Sequence, residues 1–212
     1  MSKPSQIRKK LIEVALPLEA INEASAREKS IRQGHPSTLH NWWARRPLAA
    51  CRAVIFASLV DDPSNDQPEE LASKERERIF KIIEKMVQWD STNNEEIFRL
   101  AQKEIEKSID SHIPTLLDPF CGAGSIPLEA QRLGLPVFAS DLNPVAVLIT
   151  KALVEIPTRF QVNRPANPNT LKPSSQETTP RIGDILAADL EYYGAKVRDE
   201  GFRVLGLAGL FT

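Results

Sequence analysis

The apolar side chains of the amino-terminal third recur three and four positions apart, which is the spacing of one face of a helix. They are Ile7, Leu11, Val14, Leu18 and Ile21. The pattern predicts helix over residues 7–33, with Pro17 kinking or dividing it and Gly34 ending it. A second helix is expected to begin at Pro47, because a proline at the first helical position loses no hydrogen bond. That helix is apolar on most sides, so we expect it to be buried.

The pattern changes at residue 61. Residues 61–68 are polar and rich in turn formers, whereas residues 69–89 and 94–110 place apolar side chains at helical spacing among many charges. Two charged amphipathic helices are therefore predicted. A pair of this kind most often covers or spaces a neighbouring region.

A third pattern begins near residue 113. The apolar run 114–118 ends on an acid and predicts a short buried strand, and residues 126–133 predict a helix with Ser125 as its N-cap. Residues 136–141 predict a second strand, and residues 145–154 a second helix. This β-α-β-α order is typical of a parallel sheet and predicts an α/β fold.

These patterns divide the chain into five segments. They are a helical region over 1–60, a charged helical pair over 61–112, a β-α-β-α unit over 113–156, a proline-rich linker over 157–182, and a helical segment with a glycine-rich tail over 183–212.

Composition narrows the class of protein. Hydrophobic residues make up 42% of the chain and charged residues 26%, the balance of a folded globular protein. We expect a cytoplasmic location and no membrane partner, because no apolar run is long enough to span a bilayer and no signal peptide is evident. The two cysteines form no C-x-x-C pair, so no metal site is predicted.

Charge is distributed unevenly along the chain. Residues 1–60 carry ten Lys and Arg against four Asp and Glu, whereas residues 61–112 carry eight against fourteen. A basic amino-terminal third is suited to a phosphate backbone. It is equally suited to docking on the acidic segment beside it, and charge alone does not choose between the two.

The loop between the first predicted strand and the next helix has the chemistry of a ligand site. It reads Asp118-Pro-Phe-Cys-Gly-Ala-Gly-Ser125. Gly122 and Gly124 allow a tight reversal and a close approach of the backbone to a ligand, and the following helix directs its free N–H groups to the same place. The third glycine of the dinucleotide fingerprint is replaced by Pro127. Asp141, at the end of the second strand, is placed to accept hydrogen bonds from both hydroxyls of a ribose.

This loop resembles the cofactor loop of amino-group methyltransferases. Together with residues 15–22, 34–47 and 117–157, it makes the chain similar to adenine-specific DNA methylases that bear an amino-terminal domain of unknown function. Some members of that family encode a zinc ribbon, and some lie in anti-phage gene clusters. The resemblance implies the start of a Rossmann-like sheet that binds S-adenosylmethionine.

The resemblance also assigns residues to the cofactor. Asp118 would fix the amino end of the cofactor, the Gly122–Gly124 backbone its methionine portion, and Asp141 its ribose, with Leu142 and Asn143 beside the adenine. The complete predicted set is Asp118, Pro119, Phe120, Cys121, Gly122, Ala123, Gly124, Ser125, Asp141, Leu142 and Asn143.

The segment 35–47 is similar to the part of such enzymes that helps to close the cofactor pocket. His35, Arg45, Arg46 and Pro47 are therefore candidates for contact with the cofactor or with DNA. The alternative is that Trp42 and Trp43 pack on the domain and that the arginines pair with local acids.

No catalytic residue is assigned. Amino-group methyltransferases hold the target base with Asn or Asp, two prolines and an aromatic residue, and this tetrad does not occur in the sequence. The resemblance thus predicts the amino-terminal, cofactor-binding part of a DNA adenine methyltransferase, inactive alone. Its expected partners are DNA and a carboxy-terminal half, or restriction or anti-phage subunits. The alternatives are an RNA base methyltransferase and a non-catalytic subunit that keeps the cofactor fold.

Overall fold

A computed structural model describes residues 8–109, 112–159 and 182–204. The chain forms two compact units, Met1–Ile156 and Pro157–Thr212. Its α-helices are α1 (Leu11–Val14), α2 (Leu18–Glu28), α3 (Leu48–Leu59), α4 (Glu69–Val87), α5 (Glu95–Lys107), α6 (Ser125–Arg132), α7 (Pro144–Thr150), α8 (Ile156–Arg159) and α9 (Ile182–Val204). The described residues also include two strands, β1 (Leu116–Asp118) and β2 (Val137–Ala139). No helix in the described part is both long enough and apolar enough to cross a membrane.

The amino-terminal helix is divided at Pro17, as predicted. Pro17 stands between α1 and α2 as the N-cap of α2. The prediction that Gly34 ends this helix is wrong, because α2 already ends at Glu28. Gly34 lies six residues later, with a φ of 71°.

The helix α3 forms the centre of the first unit, which confirms its predicted burial. Ala53, Phe56 and Ala57 are completely buried, and α3 packs against α1, α2, α4 and α6. The helix begins at Leu48 instead of Pro47, with Pro47 as its N-cap. Residues from the helices on every side of α3 share one continuous apolar core.

The charged helices α4 and α5 belong to this same core. Ile79, Ile83 and Met86 of α4 are buried, as are Phe98 and Ile105 of α5. Their apolar faces therefore meet the amino-terminal helices directly.

The two strands are parallel and joined through α6. The register pairs Leu116 with Val137, Leu117 with Phe138, and Asp118 with Ala139. Side chains alternate between the two faces of a strand, so Leu116 and Val137 pack on the core while Leu117 and Phe138 stay 69% and 70% exposed. The structure is thus mostly helical with a small parallel sheet, which confirms the α/β order predicted for residues 113–156.

Two predicted helix boundaries in this region are wrong. Gly124, in the left-handed conformation with a φ of 74°, is the N-cap of α6, and Ser125 is its first residue. The helix predicted over 145–154 is α-helical only to Thr150 and continues as a π-helix over Lys151–Glu155.

The second unit is described mainly through α9, which confirms the predicted helix near residues 183–199. In it Tyr192 and Tyr193 meet edge to face, and the Lys196 ammonium lies 4.8 Å from the centre of the Tyr192 ring. Most of the predicted proline-rich linker, residues 160–181, lies outside the described residues, as does the predicted tail over 205–212.

A buried ion pair joins the amino-terminal helices to the β-α-β unit. The Arg52 Nε of α3 donates to Glu129 Oε2 of α6 at 2.5 Å, and both side chains are almost fully buried. The Arg52 guanidinium also donates to the Met86 carbonyl and lies 5.3 Å from the centre of the Phe98 ring. One cation thus connects α3, α4, α5 and α6.

We expect Arg52→Ala to lower the free energy of unfolding by about 3–5 kcal/mol, because it empties a buried site, removes one of the two ion pairs of the buried Glu129 carboxylate, and leaves the Met86 carbonyl without its side-chain donor. Lys107→Ala is the control, since this exposed lysine shares Glu104 with Arg78 and should cost less than about 1 kcal/mol. Urea unfolding of the full chain measures both. Equal losses for the two variants would show that Arg52 does not connect these helices.

Candidate functional site

A cleft of about 360 Å³ lies where the two parallel strands end. Asp118 is the last residue of β1, and Asp141 follows β2 by two residues. The glycine loop forms one wall, and Trp42, Ala44, Arg45 and Arg46 line the cleft from the amino-terminal region. The carboxyl ends of parallel strands are the usual position of ligand sites in α/β sheets.

The glycine loop has the tight backbone that its sequence predicts. Gly122 and Gly124 have φ values of 50° and 74°, a region that favours glycine strongly. The Gly124 N–H donates to the Cys121 carbonyl at 2.8 Å, and the Cys121 N–H donates to the Ser140 carbonyl at 3.0 Å. The loop is therefore held both to itself and to the end of the second strand.

The Asp141 carboxylate connects the second strand to this loop. Its Oδ2 accepts the Gly122 N–H at 2.8 Å, and its Oδ1 accepts the Asn143 N–H at 2.8 Å. The hydrogen bonds from Asn143 and Gly122 hold the pKa of Asp141 below its usual range, so this side chain is an anion at neutral pH.

The Asp118 carboxylate lies deeper in the cleft. Its side chain is buried, and its Oδ1 accepts the Phe120 N–H at 3.2 Å. Two carboxylates, one buried and one partly exposed, therefore face the same small volume. Phe120, by contrast, is 78% exposed at its mouth.

Trp42 covers the glycine loop. A Cβ atom placed on Gly122 would lie 2.9 Å from the indole Nε1, so the tryptophan occupies the space that any side chain at this position needs. From the sequence, packing of Trp42 on the domain was one alternative for the segment 35–47, and Trp42 was not among the predicted site residues. The glycine pattern gave no signal of this contact, because Trp42 lies eighty positions earlier in the chain.

Thr150 supports the loop from the opposite side, and sequence reasoning missed it. Its hydroxyl donates to the Gly122 carbonyl at 3.2 Å and lies 3.5 Å from the Cys121 Sγ. A Cβ on Gly124 would lie 2.8 Å from the same hydroxyl oxygen. Burial raises the pKa of the Cys121 thiol, so this cysteine stays protonated.

Arg45 is one of the two arginines that line the cleft. Its Nε and Nη1 are buried and have no hydrogen-bond partner among the described residues. Burial lowers the pKa of its guanidinium below the usual value, although an arginine stays charged. Two buried N–H donors without acceptors are costly, and an anion in the cleft would supply acceptors for them.

The structure brings most of the predicted residues together. Asp118, Phe120, Cys121, Gly122, Ala123, Ser125 and Asp141 line the cleft with Arg45 and Arg46. Pro119 and Gly124 belong to the same loop. Leu142 is 94% exposed beside it, and the Asn143 side chain caps α7 by accepting the Val145 N–H at 3.0 Å.

His35 and Pro47 do not line this cleft. The His35 ring is buried, and its Nε2 lies 2.7 Å from the Glu28 Oε1. Both residues line a second cavity, described below, which shares Arg45 and Arg46 with the cleft.

Gly122→Ala should lower the free energy of unfolding by about 2–4 kcal/mol, since it combines a positive φ with a collision against Trp42. Gly34→Ala is the matched control, because its φ of 71° is equally unfavourable while nothing lies within 4 Å of the added methyl group. Gly34→Ala should lower the free energy of unfolding by about 1–2 kcal/mol. Thermal or urea unfolding gives the comparison.

The difference between the losses in free energy of unfolding of Gly122→Ala and Gly34→Ala measures the contribution of the contact with Trp42. Removing the indole in a Gly122→Ala/Trp42→Ala protein should bring the cost of the alanine down to that at Gly34. If Gly122→Ala and Gly34→Ala are equally destabilising, Trp42 does not close on the loop.

Comparison with protein families gives two matches along the chain. Residues 15–82 match a protein family of unknown function, DUF1156. Residues 99–178 match the D12 class of N6 adenine-specific DNA methyltransferases. Comparisons with curated proteins and with solved structures gave no match. The two matches follow one another in the order that the sequence resemblance predicts: a match to the family of unknown function, then a match to the adenine-specific DNA methyltransferases.

Proposed function

We propose that this chain binds S-adenosylmethionine and supplies the cofactor part of a DNA adenine methyltransferase. The observation that carries the proposal is the cleft itself. It joins two carboxylates and a glycine loop at the carboxyl ends of parallel strands, within the segment that matches the methyltransferase family.

The charges of the cleft suit this cofactor. The cofactor carries an ammonium, a carboxylate and a ribose diol. The buried Asp118 carboxylate would pair with the ammonium, and the Arg45 Nε and Nη1, which have no acceptor among the described residues, would donate to the carboxylate. Asp141 would accept the ribose hydroxyls, because each of its oxygens receives one backbone N–H and keeps a further lone pair.

The bound cofactor supplies a methyl group on a sulfonium, which the amine of adenine can attack directly. The residues of this chain contribute by orientation and by excluding water. Trp42 and the loop enclose the cleft from two sides. Cys121 is not a nucleophile in this proposal, because its protonated thiol points to Thr150.

We also propose that the sheet is the start of a Rossmann-like domain that a further segment extends. Parallel sheets are normally covered on both faces, yet Leu117 and Phe138 leave one face of this sheet exposed. An apolar cavity of about 600 Å³, lined by Val54, Ile55, Leu116 and Ile126 among others, lies beside β1. The added segment would carry the Asn/Asp-Pro-Pro-aromatic tetrad, so the chain alone would not methylate DNA.

A cytoplasmic location also remains a prediction.

Calorimetry with S-adenosylmethionine tests the cofactor assignment. We expect the wild-type chain to bind, and Asp141→Ala to weaken binding about tenfold or more, because two hydrogen bonds to a charged acceptor are lost. Asp66→Ala is the control, as its exposed carboxylate pairs with Arg8 outside the cleft. Circular dichroism verifies that each protein is folded. Folded wild-type protein that does not bind millimolar cofactor would refute the assignment.

Complementation tests the exposed sheet face. Co-expression with a methyltransferase segment that carries the tetrad should yield DNA adenine methylation, measured on plasmid DNA. Leu117→Asp should abolish it, since a charge on the covered face of a sheet prevents packing. Leu71→Asp, on the exposed surface of α4, should leave methylation unchanged. Methylation that survives Leu117→Asp would show that this face is not an assembly surface.

A further inference from the structure

A second, larger cavity adjoins the cofactor cleft. It measures about 770 Å³ and lies between the carboxyl end of α2 and the segment 35–47. Its polar lining includes Lys29, Arg32, His40, Arg45 and Arg46. The whole cavity lies within the region that matches the family of unknown function, to which the proposed methyltransferase chemistry assigns no role.

The cavity has a strong excess of positive charge. Its one acidic side chain, Glu28, already has three donors: the His35 ring at 2.7 Å and the backbone N–H groups of Leu48 and Ala49 at 3.0 and 3.1 Å. Glu28 thereby caps α3, and this single carboxylate, which also favours the charge of Arg45, stands against one lysine and three arginines in the cavity lining.

Other basic residues of the amino-terminal third form ion pairs with the acidic segment and do not line the cavity. Arg8 and Lys10 pair with Asp61, and Arg27 pairs with Asp90. Lys29 and Arg32 are exposed, and neither forms an ion pair within the described parts of the chain. Docking on the acidic segment therefore explains the basic residues Arg8, Lys10 and Arg27. It does not explain Lys29 and Arg32, which line the cavity.

The wall of the cavity also contains unpartnered polar atoms. The Ser25 Oγ, the Arg45 Nε and the Arg45 Nη1 are buried, and none has a hydrogen-bond partner in the described structure. Buried donors without partners are rare in folded proteins and call for an explanation. An anion in the cavity would supply an acceptor for the Ser25 hydroxyl, whereas Arg45 lines both the cavity and the cleft and can meet an anion in either.

We propose that this cavity binds the phosphodiester backbone of DNA. Arg45 and Arg46 line both the cavity and the cofactor cleft, so a phosphate held by Lys29 and Arg32 would lie next to the site of methyl transfer. Contacts with the phosphate backbone do not depend on the base sequence, and they set the position of the duplex on the protein. The inference rests on the proposed function and gives the amino-terminal region a part in it.

The test is fluorescence anisotropy of a labelled 20-base-pair DNA duplex (a length of about two helical turns) with the full chain at several salt concentrations. Lys29→Gln/Arg32→Gln should weaken binding about tenfold or more at low salt and reduce the slope of log affinity against log salt by about two. Lys74→Gln/Lys81→Gln removes the same charge from exposed positions on α4 that do not line the cavity, and should change affinity less than twofold.

The outcomes separate this inference from the proposed function. Equal effects of the two double variants, or no duplex binding by folded wild-type protein, would overturn the phosphate site. Calorimetry with S-adenosylmethionine on Lys29→Gln/Arg32→Gln should match wild type, which shows that the cofactor cleft is intact. Duplex binding that depends on Lys29 and Arg32 in a protein that binds no cofactor would support the phosphate site and refute the cofactor assignment. Stronger binding of a matched RNA duplex would overturn the choice of DNA.

Discussion

The contact between Arg52 and Glu129 fixes how the two family regions meet. Arg52 lies in the segment that matches the family of unknown function and Glu129 in the segment that matches the methyltransferases, and their side chains are almost completely buried. Removal of Glu129 leaves the buried Arg52 cation with only the Met86 carbonyl and the Phe98 ring, and removal of Arg52 leaves Glu129 with Arg132 as its one remaining ion-pair partner among the described residues. The pair therefore sets where α6 lies on α3, and with it the position of the glycine loop that precedes α6.

The amino-terminal region is consequently part of the site. Since α3 is anchored to α6, the segment before α3 is brought over the loop, where Trp42 meets Gly122 and Arg45 faces the two aspartates. Glu28 strengthens this arrangement by capping the start of α3 and holding His35. A region that sequence comparison treats as separate thus supplies one wall of the cleft.

Local patterns in the sequence were sufficient to predict much of this. Pro17 divides the first helix because a proline interrupts the hydrogen bonds within any helix, and α3 is buried because its apolar residues occur on most sides. The glycine loop and the position of Asp141 could be predicted because their residue types and spacing lie within a few dozen positions of the chain.

Prediction failed where contacts between distant parts of the chain determine the structure. The burial of Arg52, the tryptophan over Gly122 and the support by Thr150 each depend on a partner that lies 28 or more positions away. Ser125 was assigned as a cap on its residue type, but the turn at Gly124 moves the helix boundary by one residue.

The shared position of Arg45 and Arg46 has a thermodynamic consequence. Both residues belong to a short segment that touches the glycine loop on one side and the basic cavity on the other. Any ligand that orders this segment lowers the ordering cost for a second ligand on its other side, and such linkage is reciprocal. A ligand in the cleft and a ligand in the basic cavity would then each raise the affinity of the protein for the other.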